Sequence, residues 1–276
     1  MRIDAHQHFW KYNQNEYSWI NNEMDVLKKN FLPEDLEKEL KTIDFNGSIA
    51  VQARQSLKET EWLLKLADEY NCIKGVVGWV NLCSPEIEEQ LNKFSQCKKL
   101  VGVRHVVHDE PDDNFMDRDD FKNGISLLSK YNLTYDLLIF PKHLALANKL
   151  VSYFPNQKFV LNHIAKPLIK DKVHSPWNED IKKLAEQPNV YCKLSGMVTE
   201  ADWKNWKSEQ FKYYLDVVFK YFGTDRLMIG SDWPVCNVAG GYRDVMLLVI
   251  KYLNQFDFKI KRKILGLNCK KFYLNN

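Results

Sequence analysis

The sequence predicts an α/β fold: a single (β/α)8 barrel of the TIM type spanning residues 1–276. Three observations carry this. Eight short apolar runs recur, their starts 25 to 46 residues apart. Most of these runs are Val/Ile-rich and continuous rather than alternating, as in Gly75-Val76-Val77-Gly78-Trp79-Val80. Strands covered by helices on both faces read this way, because neither face meets water. The segments between the runs carry helical spacing. An open, doubly wound sheet is the alternative architecture for such a pattern.

The runs lie near 2–8, 48–53, 75–80, 100–107, 133–139, 158–164, 189–194 and 227–231. Ser56-Leu57-Lys58-Glu59 has the form of a capping box, followed by Trp62, Leu63, Leu66, Ala67 and Tyr70 on one helical face. Ser84-Pro85 predicts an N-cap with proline at the first helical position, ahead of Ile87, Leu91 and Phe94. Helices are further expected from Asp120 to Tyr131, Pro141 to Phe154, Trp177 to Ala185 and Phe211 to Phe222. Two connections are long: 9–32, with Phe9, Trp10, Tyr12, Tyr17, Trp19 and Phe31, and 196–207, with Met197, Trp203 and Trp206. Both fall at the C-terminal face of the barrel, where active sites sit. Their aromatics either wall a small-molecule pocket or pack the loops onto the rim.

Composition narrows the function. Thirty-nine Lys and Arg against 36 Asp and Glu leave a net charge of +3, spread without a concentrated basic face, which argues against nucleic acid. No apolar run approaches the roughly 18 residues of a membrane span. The six cysteines include no CxxC pair and predict free thiols. Together with Met1-Arg2 leading directly into the first apolar run, they predict a cytoplasmic protein. There is no GxGxxG after a strand, no P-loop and no GxSxG elbow. This argues against nicotinamide chemistry, phosphoryl transfer and a serine esterase.

The candidate chemistry gathers at strand ends. His6 and His8, two apart at the end of the first strand, point to one face, with Asp4 one layer deeper. Paired imidazoles suit a divalent metal or the polarisation of a carbonyl. Asp232 ends the eighth run, and barrel closure would set it beside His6 and His8. Its carboxylate would serve as general base or metal ligand, or else cap a helix. His163 ends the sixth run. Arg54, Arg104 and Lys193 are candidates to hold an oxygen-rich substrate. Asp136, His105 and His108 are further substrate-contact candidates, and strand parity leaves structural pairing open for all six.

Asp4-Ala5-His6-Gln7-His8-Phe9-Trp10, Val51-Gln52-Ala53-Arg54-Gln55, Gly102-Val103-Arg104-His105, Asn162-His163-Ile164-Ala165-Lys166-Pro167, Cys192-Lys193-Leu194-Ser195-Gly196 and Gly230-Ser231-Asp232-Trp233-Pro234 together resemble the amidohydrolase-superfamily lactonases. The resemblance spans essentially the whole chain and is closest to sugar-acid lactonases of the L-fuconolactonase and L-rhamnonolactonase type. It implies a distorted barrel in which His6, His8, His163 and Asp232 form the catalytic group. It also implies either no essential metal or one divalent ion held by these four residues, zinc first among candidates. The lysine and histidine that the wider superfamily adds on strands four and five for a second metal are absent here. The expected reaction is hydrolysis of a small sugar lactone, with Asp232 activating water. The alternatives are another lactone, of the pyrone-dicarboxylate or muconolactone kind, or a catalytically silent barrel that binds sugar acids. No nucleic-acid or membrane partner is expected, and self-association is left open.

Overall fold

In the computed structural model, which describes residues 1–275, the expected strands are parallel and ordered β1 to β8 around the sheet. They are β1 (Asp4–Gln7), β2 (Ser48–Val51), β3 (Ile73–Gly78), β4 (Leu100–Val106), β5 (Thr134–Leu138), β6 (Phe159–Leu161), β7 (Val190–Leu194) and β8 (Leu227–Ile229). The intervening helices are α1 (Pro33–Lys41), α2 (Leu57–Glu69), α3 (Ile87–Phe94), α4 (Asp119–Leu128), α5 (Leu144–Tyr153), α6 (Trp177–Ala185) and α7 (Glu209–Phe222). After β8 come α8 (Tyr242–Tyr252) and α9 (Phe258–Arg262). The uninterrupted apolar strands arise because both faces are covered. Ile3, Ala5, Ile49, Val51, Val77, Val101, Val160 and Met228 fill the barrel interior. Their neighbours Ala50, Val76, Val103 and Leu161 pack outward under the helices. Cys269, Phe272 and Tyr273, from the last turn of the chain, complete the interior core. All six cysteines are free, and no helix among the described residues is long and apolar enough to cross a membrane.

Several local expectations are corrected. The sixth and eighth strands stop early because the backbone leaves the extended region. His163, Ile164, Ala165 and Lys166 form a left-handed turn with φ of 54°, 49°, 62° and 49°, and Asp232 has φ 61°. Ser84-Pro85 does not open α3; Ser84 Oγ accepts from the Glu86 amide at 3.1 Å and caps a turn ahead of the helix. Only half of the capping box at Ser56 forms. Ser56 Oγ accepts from the Glu59 amide, but the Glu59 carboxylate turns back to the Ala53 and Arg54 amides, both at 3.0 Å.

Closure of the barrel is made by side chains as much as by backbone. The Asp232 amide donates to His6 O at 2.8 Å and the His8 amide to Trp233 O at 2.6 Å. Buried Asp4 accepts from the Ser231 amide at 2.9 Å, the Ser231 hydroxyl at 2.6 Å and the His6 amide at 3.1 Å. The approach needs a glycine: a Cβ at Gly230 would stand 2.8 Å from His6 Cβ and 3.1 Å from Ser195 Cβ. Gly230→Ala should therefore lower stability by about 1–3 kcal/mol, the usual cost of overpacking a tight core. Urea unfolding measures this, and an unchanged midpoint would mean that the seam has slack.

Candidate active site

A cavity of about 300 Å³ opens at the C-terminal end of the strands, the low end of the range for small-molecule sites. Its floor carries His8, Arg104, His163 and Asp232, and its walls mix Trp19, Met24, Phe140, Trp203, Val235 and Val238 with His108, Lys166 and Glu200. The two long loops supply much of the wall. The loop after β1 is tied down by the backbone pair Trp10–Phe31, by Trp10 Nε1 donating to Lys29 O at 2.9 Å, and by Tyr17 OH donating to Glu59 at 3.3 Å. Phe9, Trp10, Tyr17 and Phe31 are buried under it, while Trp19 reaches the cavity. In the loop after β7, Trp203 lines the cavity and donates from Nε1 to Thr199 O at 2.9 Å.

The floor groups meet at one carboxylate oxygen. Asp232 Oδ1 is 3.3 Å from His8 Nε2, 3.8 Å from His6 Nε2 and 3.7 Å from His163 Nε2. His6 and His8 approach to 3.2 Å between their Nε2 atoms, the same-face geometry of an i, i+2 pair. Each ring is held from behind. His8 Nδ1 lies 2.8 Å from Val51 O, and His163 Nδ1 lies 2.9 Å from Ser195 Oγ. Arg104 Nη1 donates towards His6 Nε2 at 3.2 Å and to Asn162 Oδ1 at 3.3 Å. The left-handed turn is what aims His163. Trp177 Nε1 donates to Ile164 O at 2.8 Å, Lys166 pairs with Glu200, and Gly196 leaves the space that a Cβ would take from His163 Nδ1.

Burial alone would raise the Asp232 carboxyl. The His163 and His8 rings, in the protonated form they take at low pH, and the Lys166 ammonium outweigh it and bring the group down to about 2. Burial pushes His6, His8 and His163 below the ordinary imidazole value, and for His6 the nearby Lys193 adds to the effect. The site therefore holds an ionised carboxylate among neutral imidazoles at neutral pH.

This arrangement fits a divalent ion. A backbone carbonyl can only accept, so His8 carries its hydrogen on Nδ1 and turns the Nε2 lone pair to Asp232 Oδ1. His6 Nε2 faces the same point, and these three atoms lie within 4.8 Å of one another. Lone pairs and a carboxylate converging with no hydrogen among the three suit a cation with nitrogen and oxygen ligands.

The other predicted residues divide. His108 reaches the cavity, stacked on Phe140 at 4.6 Å. His105, its ring on the other side of β4, stacks on Phe115 at 4.7 Å and pairs with Glu110 at 2.6 Å, outside the cavity. Arg54, expected to hold substrate, is also outside: it pairs with Glu16 at 2.8 Å and lies 5.4 Å from the Tyr17 ring, so it anchors the loop after β1. Lys193 and Asp136 do not line the cavity; they are fully buried beneath His6 as an ion pair of 2.6 Å. Sequence reasoning missed Ser195, Asn162, Lys166 and Glu200. Asn162 stands beside His163, Ser195 is two residues from Lys193 and Lys166 three from His163, but one sequence carries no sign of a left-handed turn.

Comparison with known proteins gives the family. The chain is 38% identical to the L-fucono-1,5-lactonase of Burkholderia multivorans, over 91% of this chain and 88% of that one. It is 33% identical to the L-fucono-1,5-lactonase of Burkholderia ambifaria, over 88% and 83%. A crystal structure of a Burkholderia multivorans amidohydrolase with bound zinc superposes with a TM-score of 0.95 at 36% identity, covering 99% of each chain. The amidohydrolase family model matches residues 3–274, and the chain belongs to that family.

Proposed function

We propose that this protein hydrolyses a sugar-acid lactone, of the L-fucono-1,5-lactone or L-rhamnonolactone type, to the open aldonic acid. The observation that carries this is the meeting of one ionised carboxylate with three neutral imidazoles and a guanidinium on the floor of a small cavity. Such a site can deprotonate water and stabilise the oxyanion of an attacked carbonyl.

Asp232 takes a proton from water as its oxygen bonds to the lactone carbonyl carbon. The negative charge that grows on the carbonyl oxygen is met by the Arg104 guanidinium and by His163, whose Nδ1 can accept from the Ser195 hydroxyl and leave the hydrogen on Nε2. The tetrahedral species collapses by breaking the bond to the ring oxygen, which leaves as an alcohol after taking the proton back from Asp232. Water and lactone thus give one hydroxy acid. His6, His8 and Asp232 are the residues that would hold a divalent ion, zinc first, with His163 beside them. When bound, such an ion supplies further polarisation of the carbonyl.

The walls favour a neutral polyhydroxylated substrate over a dicarboxylate lactone. Two cationic side chains line the cavity, Arg104 and Lys166. Arg104 is committed to His6, Asn162 and the Gln52 carbonyl, and Lys166 to Glu200. Asp109 adds negative charge to the same wall. Hydroxyls bond readily to such paired groups, whereas a second carboxylate would meet unbalanced repulsion. Trp19, Met24, Val235 and Val238 give an apolar surface for a deoxy-sugar's carbon face. The six free thiols favour a reducing compartment such as the cytoplasm.

With L-fucono-1,5-lactone and a pH indicator, Asp232→Asn should reduce kcat by about 10²–10⁴-fold, the usual worth of a general base. Its melting temperature should stay near the parent's, and turnover surviving at parental rates would remove Asp232 from the mechanism. The depressed Asp232 pKa sets the sign of the pH response. The carboxylate is ionised above about 2, so the base is present throughout the neutral range and is lost only as the pH falls towards that value. The kcat/KM profile should lack an acid limb between about pH 5 and 8, and a limb near the ordinary imidazole value would assign the base to a histidine instead. Zinc should bind as a single equivalent by calorimetry and be lost in His8→Ala. Assay of a verified metal-free sample then separates an essential ion from a dispensable one.

A further inference from the structure

Among the apolar residues that fill the barrel interior, a lysine, an aspartate and a tyrosine meet. Lys193 Nζ donates to Asp136 Oδ2 at 2.6 Å and lies 3.4 Å from His6 Nδ1. Asp136 Oδ2 also accepts from Asn162 Nδ2 at 2.9 Å, and Oδ1 accepts from the Tyr273 hydroxyl at 2.7 Å. Tyr273 comes from the opposite end of the barrel. Its turn, Lys270–Leu274, follows a segment bonded to the starts of the strands: the Ile3 amide donates to Leu265 O at 2.8 Å, and Asn268 Nδ2 donates to Leu227 O at 2.7 Å. From there Tyr273 rises through the interior core, its ring 5.1 Å from Lys193 Nζ.

None of these three side chains touches the cavity. A buried ion pair is a costly way to fill a core that apolar residues would fill well. What this pair delivers is a fixed cation packed against the far side of the His6 ring, 3.4 Å from Nδ1. Arg104 stands at Nε2 and Lys193 at Nδ1, so the imidazole is gripped between two groups, each tied in turn to the Asn162–Asp136 network. Outer partners of this kind fix the rotation of a catalytic or ligating ring.

We propose that Lys193 is a positioning residue for His6, that Asp136 and Tyr273 hold it there, and that the C-terminal turn of the chain is thereby part of the active site. This rests on the lactonase reading for its kinetic consequence, but not for its geometry. Tyr273→Phe keeps the ring and its packing and removes only the hydroxyl. It should lower kcat about tenfold, within the 10–100-fold typical of outer partners, with KM little changed. Lys193→Met should cost more, and Lys193→Arg should recover part of the loss. A merely structural role predicts a lower melting temperature with normal kcat for the folded fraction, and that result would overturn the proposal.

A second readout does not depend on turnover. Long-range ¹H–¹⁵N spectra of the histidine rings, with His6 assigned through His6→Gln, should show the His6 nitrogens shifted in Tyr273→Phe while those of His105 and His174 stay in place. Unmoved His6 signals would sink the positioning role even if activity fell. If the parent protein opens no sugar lactone, the lactonase reading fails, and the ring spectra still decide whether Tyr273 and Lys193 position His6.

Discussion

A parallel sheet of eight strands becomes a site only where it closes, and here closure depends on one buried carboxylate. Asp4 collects three donors from β1 and from the segment after β8, and Gly230 lets the two backbones approach. The consequence reaches the chemistry directly. The Asp232 amide bonds to the carbonyl of His6, so the proposed base and one of the rings it faces are fastened by a single backbone hydrogen bond. Burial raises Asp4 to about 6, against the pull of its Ser231 and His6 partners.

Strain is concentrated in the same place. His163, Ile164, Ala165, Lys166 and Asp232 all occupy left-handed backbone conformations, which cost L-residues roughly 1–2 kcal/mol apiece. For Ile164 the β-branched side chain makes the conformation rarer still. The surroundings hold it: Ile164 and Ala165 are fully buried, Trp177 bonds to the Ile164 carbonyl, and Lys166 is paired. A regular strand would carry His163 on along the barrel wall. The turn instead folds it back over Asp232 and brings Lys166 to the cavity wall, so one distortion supplies two side chains.

The fold was legible because burial on two faces leaves a direct mark on a strand, as in Gly75–Gly78, and helical spacing leaves another between strands. His6, His8 and Asp232 were legible for a related reason: polar residues at the end of an apolar run have nowhere to go but the barrel mouth. The failures follow from what such reasoning omits. Arg54 ends its strand as the others do, but Glu16 lies in a long loop whose path no periodicity describes. His105 and Arg104 are adjacent on β4, so they face opposite ways, and only the register of the sheet shows which is inward. For Lys193 the sequence leaves substrate contact and structural pairing open, and only the fold shows the partner that decides it. That partner, Asp136, is 57 residues away on a strand not adjacent to its own, and Tyr273 is 137 residues from Asp136.

Charge balance links these layers to the proposed reaction. Lys193 cancels Asp136 below the site, the Asp232 carboxylate acts on Arg104 through space within it, and Lys166 cancels Glu200 at the wall. With the imidazoles neutral, the cavity offers a lactone little net field, which suits an uncharged ring. Ring opening changes that match. The product carries a carboxylate at the carbon that was attacked, close to Asp232 and within the wall that bears Asp109. Like charges in a partly desolvated cavity repel strongly. A site neutral towards its substrate and hostile to its product favours release of the acid, and it obtains that asymmetry because its cations are already spoken for.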